Sequence, residues 1–102
     1  MCGIAGFFGN REVSENLIFN TLEKMKNRGP DSQNFKTCNL SNNYFLTLLH
    51  SRLNIIDLDK RSNQPFEVDE LIITFNGEIY NYVELRRELQ NKNINLKTKS
   101  DT

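Results

Sequence analysis

The chain opens with MCGIAGFFGN, residues 1–10, and the reading of this stretch sets the fold. Gly3 to Phe8 is short, apolar and β-prone, which predicts a buried strand that anchors Cys2 on a rigid element. The stretch has no basic start, apolar core and small-residue cleavage site in the order of a secretory signal. Gly3 stands one position too late for Met-Gly lipidation. Cys2 is small enough for cellular aminopeptidases to remove Met1. That leaves one residue carrying both a thiol and a free α-amino group.

Working outward, Ser14 to Asn27 reads as a helix, with Ile18, Leu22 and Met25 on one face and Ser14 as N-cap. NRGP at 27–30 stops it, because proline cannot continue a helix. Gln33–Thr37 and Tyr44–His50 flank the turn-like NLSNN and predict a hairpin. RLNIIDL (52–58) and LIITF (71–75) read as further strands, the second leading into Asn76-Gly77, and Gln64-Pro65 as a structured loop. A second helix is expected from Tyr82 to about Asn91, capped by Asn81 with Glu84 three residues on. INLKT (94–98) alternates like an edge strand. Helices mixed with hairpin-like strands give an α+β class, and no repeat or linker divides the chain.

With 102 residues the chain is one domain or part of one. Thirteen Lys and Arg balance thirteen Asp and Glu, which argues against nucleic acid or an anionic membrane as the main partner. No apolar run approaches the roughly 20 residues that span a bilayer. Cys2 and Cys38 are too few for a disulfide scaffold, and with one histidine the ligands of a structural zinc site are lacking. Two free thiols in a cytoplasmic setting are expected, with Cys38 a packing residue.

A thiol attacks as thiolate, and an unperturbed one titrates near ~8.5. A free α-amine titrates near ~8 and can accept the thiol proton, so an N-terminal cysteine can be nucleophile and base together. Acyl transfer also needs oxyanion donors. Asn76 offers a side-chain amide and Gly77 a backbone N–H that small size leaves approachable. Read singly, each has a plainer alternative: Cys2 a small buried residue, Asn76-Gly77 a hairpin turn, Arg52 a surface arginine, Glu78 or Asp101 a turn cap.

MCGIAGF, NRGPD, LHSRLNIIDL, NQPF, FNGEIYNYVELRREL and SDT stand in this order over the whole chain. In this order and spacing they resemble the class II glutamine amidotransferases, and most of all the N-terminal glutaminase part of glutamine-hydrolysing asparagine synthetases. The resemblance implies a partial four-layer α/β/β/α sandwich of the N-terminal nucleophile hydrolase type. It makes residues 1–102 the first part of a glutaminase domain, with the rest of that domain and a synthetase domain lying beyond them.

By the same matching, Cys2 would attack the glutamine side-chain amide and form a γ-glutamyl thioester, with Asn76 and Gly77 as the oxyanion hole. Arg52 would grip the α-carboxylate, Glu78 and Asp101 would face the α-ammonium, and backbone groups at Ile55 and Ile56 would line the pocket. Arg28 and Asp31 would fix a nearby loop, and His50 would pack or hydrogen-bond. No cofactor is implied for this segment; ATP and Mg²⁺ belong to the synthetase domain, which would use the ammonia to make asparagine from aspartate. The implied partners are glutamine and that domain, and the family also admits a homodimer. Two alternatives stay open: an amidotransferase with another acceptor, as in polysaccharide or secondary metabolism, or a non-catalytic module.

Overall fold

A computed structural model describes residues 1–102. Strand β1 (Gly3–Gly9) pairs antiparallel with β3 (Tyr44–Arg52), which pairs antiparallel with β2 (Ser32–Leu40), giving a three-stranded sheet in the order β1-β3-β2. Helix α1 (Glu15–Met25) follows β1. Its N-terminus is capped as expected, the Ser14 hydroxyl accepting from the Leu17 N–H. Between β2 and β3, Asn42 and Asn43 adopt φ of 66° and 59°, a left-handed conformation that asparagine tolerates better than most residues.

Side chains alternate across the sheet, so Ala5 and Leu49 face α1 together. They meet Ile18, Leu22 and Met25 there in a small apolar core. Each leucine or isoleucine buried in it contributes about 1.5–3 kcal/mol. Gln33 also lies on this face and donates to the Leu22 carbonyl and the Ser51 hydroxyl, pinning the helix to two strands.

The other face carries Ile4, Phe8, Tyr44 and His50. The expectation of a buried β1 fails on this side: Ile4 is 48% and Phe8 63% exposed, although Phe8 stacks on Tyr44 with ring centroids 5.2 Å apart. The helix that packs on the sheet lies across its opposite face, and there it covers Gly3 and Ala5 but leaves Phe7 42% exposed.

A second sheet is a two-stranded antiparallel ribbon of β4 (Phe66–Val68) and β5 (Leu71–Ile73), turned at Asp69 with φ 52°. No strand is predicted from the sequence at β4, which follows the expected loop at Gln64-Pro65. Lys36 on β2 pairs with Glu67 on β4 at 3.1 Å, and His50 on β3 meets the Phe75 carbonyl, so the ribbon sits toward the face opposite α1. Helix α2 (Tyr82–Asn91) closes the element order where predicted. Asn81 precedes it without the expected side-chain cap.

Three expected strands change. Residues 52–58 do not form one: β3 stops at Arg52, whose guanidinium takes the carbonyls of Ile56, Asp57 and Asp59, and Asp57 has φ 51°. Those carbonyls are then lost to any ladder. The 71–75 strand ends at Ile73, because Phe75 is bonded instead by side chains from elsewhere. The 94–98 edge strand is irregular. Asn93, at φ 60°, terminates α2, and Arg86 then draws in the carbonyls of Thr98 and Ser100, each at 2.9 Å. No helix is long and apolar enough to cross a membrane.

Candidate active site

The register of β1 on β3 sets Gly3 opposite Ser51, so Cys2, just before β1, comes to the end of β3. Cys2 is half-buried and held at both ends. Its sulfur accepts from the Leu53 N–H at 3.4 Å, and its carbonyl accepts from Arg28 Nε at 3.1 Å. The RGPD turn supports this arrangement. Gly29 is packed so closely on the Ser51–Arg52 peptide that a Cβ would lie 2.3 Å from the Ser51 carbonyl. Asp31 donates its N–H to the Arg52 carbonyl at 3.0 Å and accepts the Asn54 N–H at 2.7 Å. Arg28 and Asp31 thus fix the loop beside Cys2, as the sequence reading expects.

Cys2 borders a cavity of about 310 Å³. Arg52, Ile55, Ile56, Asn76, Gly77, Glu78 and Asp101 line it as well. The structure therefore brings every candidate site residue to one cavity, though they span positions 2 to 101. Its size falls at the lower end of small-molecule sites, which run from about 300 Å³. Met1, 78% exposed, also borders it, so removing Met1 would widen the cavity and present the Cys2 α-amine to it.

Arg52 is buried, and its guanidinium is occupied. Nη1 donates to Asn63 Oδ1 at 2.7 Å and to the Asp59 carbonyl at 3.1 Å; Nη2 donates to the carbonyls of Ile56, at 3.2 Å, and Asp57. Its planar fork shapes the 53–63 loop, including Ile55 and Ile56. Asp57 locks the same loop from below, accepting the Ser62 hydroxyl and the Lys99 N–H, each at 2.7 Å. Those two bonds hold its carboxyl well below the usual carboxylate range, with Arg61 and the Asp59 N–H adding and burial opposing.

Also lining the cavity, Asp101 accepts the Ile79 N–H at 3.0 Å and the Ser100 hydroxyl at 3.3 Å. Glu78 is exposed at the rim. Phe75 lies over Gly77, where a Cβ would come 2.9 Å from the ring. Gln64, buried and bordering the cavity, accepts the Phe75 N–H and donates to Thr102 Oγ1 at 3.1 Å. Sequence reasoning gave Gln64 no site role, reading Gln64-Pro65 as a structured loop, and missed Leu53, which acts through its backbone. A buried glutamine leaves no periodic signal, and a backbone donor leaves none at all. Cys38 is half-buried on β2 opposite Leu46, a packing position.

No group of three or more His, Cys, Asp or Glu side chains gathers to hold a metal ion.

A family profile described as "Glutamine amidotransferase domain" matches residues 1–102. The chain belongs to the glutamine amidotransferase family. Among similar proteins, asparagine synthetase [glutamine-hydrolyzing] 1 of Bacillus subtilis is 37% identical over 109 residues, covering 100% of this chain and 16% of the relative. The asparagine synthetase [glutamine-hydrolyzing] of Brassica oleracea is 38% identical over 95 residues, covering 89% of this chain and 15% of the relative. The nodule asparagine synthetase [glutamine-hydrolyzing] of Pisum sativum is 38% identical, with the same coverage of 89% and 15%. The amidotransferase chain thus spans about a sixth of the length of these curated relatives. No solved structure matches it.

Proposed function

We propose that this chain carries the glutamine-hydrolysing site of an asparagine synthetase-type amidotransferase. The observation that carries the reading is the shared cavity of Cys2, Asn76, Gly77, Arg52, Glu78 and Asp101. Once Met1 is removed, the Cys2 α-amine takes the thiol proton and the sulfur attacks the side-chain carbonyl carbon of glutamine. The oxygen becomes an oxyanion, received by the Asn76 amide and the Gly77 N–H; losing one such donor costs about 10²–10³ in rate. The C–N bond then breaks, and ammonia leaves with the proton held by the amine. Water attacks the resulting thioester, releasing glutamate and restoring the thiol.

Substrate ends are met by opposite charges. Glu78 and Asp101 favour the α-ammonium, and the Arg52 side of the cavity favours the α-carboxylate. Arg52 acts there through its charge and through the loop it shapes, since its Nη1 and Nη2 protons are engaged. Free glutamine presents both charged ends, whereas a peptide-bound glutamine does not.

The ammonia is passed to a synthetase domain that uses ATP to activate aspartate. In fold terms, α1, the three-stranded sheet, the ribbon and α2 correspond to the successive layers of an α/β/β/α sandwich. Supporting this order, α1 and the ribbon lie toward opposite faces of the sheet, and α2 shares an apolar groove with β4. The test is Cys2→Ala in the full-length protein. Glutamine-dependent asparagine synthesis is lost and ammonia-dependent synthesis kept; glutamine use that survives the substitution overturns the proposal.

A further inference from the structure

Phe75 lies immediately before the two candidate oxyanion donors, yet no ladder fixes it, since β5 ends at Ile73. Two buried side chains from separate elements hold it instead. Gln64 Oε1 accepts its N–H, and His50 Nε2 lies 3.3 Å from its carbonyl oxygen. His50 is 0% and Gln64 6% exposed. A carbonyl only accepts, so Nε2 carries the imidazole proton. Nδ1 is then an acceptor, and it is buried without a partner. Burying a neutral histidine with one nitrogen unsatisfied is costly, which points to a role for the other nitrogen.

That role follows from peptide planarity. The Phe75 carbonyl belongs to the rigid unit that ends at the Asn76 α-carbon, so fixing the carbonyl fixes where that α-carbon stands and the N–Cα bond about which the Asn76 side chain turns. Only the two soft dihedrals of Asn76 then separate this plane from the plane carrying the Gly77 N–H. The Phe75 ring, resting against the Gly77 α-carbon, ties the far side of the same unit. Gln64 extends the support to Thr102 at the cavity wall.

We propose that His50 and Gln64 form a clasp on the two peptide groups of Phe75 that presets the Asn76 amide and Gly77 N–H for the oxyanion. They are positioning residues and touch no reacting atom. The inference rests on the glutaminase reading above and adds to it residues that act through Phe75.

The test compares variants of the full-length protein. His50→Asn carries an amide too short to reach the Phe75 carbonyl, whereas His50→Gln sets an N–H donor near the Nε2 position. We expect His50→Asn and Gln64→Leu to lower kcat for glutamine hydrolysis about 10- to 100-fold, the size of effect that a small misplacement produces. KM for glutamine stays within about threefold, because the lost interaction belongs to the transition state. His50→Gln recovers most of kcat. Binding of glutamate γ-semialdehyde, which forms a tetrahedral adduct with the thiol, weakens in step with kcat.

An unchanged kcat in both His50→Asn and Gln64→Leu overturns the clasp, as does a rise in KM alone. A parallel fall in ammonia-dependent synthesis makes the role structural and also overturns it. Should His50→Asn not fold, Gln64→Leu against Gln64→Glu, which keeps the acceptor for the Phe75 N–H, decides alone. Cys2→Ala separates the two ideas. If it retains glutamine hydrolysis, the site reading fails; if it abolishes hydrolysis while the clasp variants keep theirs, only the clasp fails.

Discussion

The Cys2 sulfur accepts a hydrogen bond from the Leu53 N–H at 3.4 Å, joining positions 51 residues apart. The bond follows from the β1–β3 register, which pairs Gly3 with Ser51 and so delivers Cys2 to the end of β3. A one-residue slip would turn every β1 side chain to the other face and lose the contact. The place of Cys2 is therefore set by a strand ladder rather than by a flexible terminus.

Arg28 braces that terminus from the other side through the Cys2 carbonyl. Arg28→Met is expected to slow covalent labelling of Cys2 by an electrophilic glutamine analogue. Its stability changes by no more than about 0.5 kcal/mol, because the arginine is exposed. Labelling at the parent rate would show that the brace has no part in presenting the thiol.

Gly29→Ala should be among the most damaging small changes in the chain. The added Cβ would sit 2.3 Å from the Ser51 carbonyl, and backbone cannot turn aside as a side-chain tip can. A loss of about 1–3 kcal/mol or more is expected in denaturant unfolding. A melting curve that superimposes on the parent would refute the packing described at the RGPD turn.

Arg52→Lys keeps the charge and removes the fork. One ammonium cannot satisfy the carbonyls of Ile56, Asp57 and Asp59 together with Asn63 Oδ1. The variant is expected to lose at least about 2 kcal/mol of stability and to raise KM for glutamine, as the 53–63 loop loosens. A stable variant with a parent-like KM would mean that charge alone suffices at this position.

Acid should destabilise the protein in two stages. Burial holds the His50 imidazole below its ordinary value, with the Phe75 carbonyl opposing and the Arg52 charge adding to the shift. Asp57 is likewise held low, by Ser62 and the Lys99 N–H first. Both folded values are depressed, so the unfolded chain takes the proton first. Each contribution is complete above the unfolded pKa and is lost as pH falls: His50 below about 6.5, Asp57 below about 4. Thermal melts across this range check it. His50→Gln flattens the upper stage and Asp57→Asn the lower; a parent melting temperature constant from neutral pH down to about 4 would contradict the His50 stage.

The amino-acid sequence by itself determined the parts whose signals are local. Ile18, Leu22 and Met25 recur at helical spacing behind a serine cap, so α1 was legible, as was α2 from Tyr82, Leu85 and Leu89. NLSNN carries asparagines suited to left-handed turns, so the β2–β3 hairpin was legible as well. The run of motifs from MCGIAGF to SDT also marked the residues that meet at the cavity. Tertiary structure decided what depends on remote partners. RLNIIDL has the composition of a strand, but Arg52 withdraws its carbonyls. INLKT alternates, but Arg86 pulls its end toward α2. His50 and Gln64 become a clasp only when folding brings β3 and the loop that carries Gln64 together at Phe75. Periodicity records which face of an element is apolar; which backbone groups remain free to pair is set by side chains dozens of residues away.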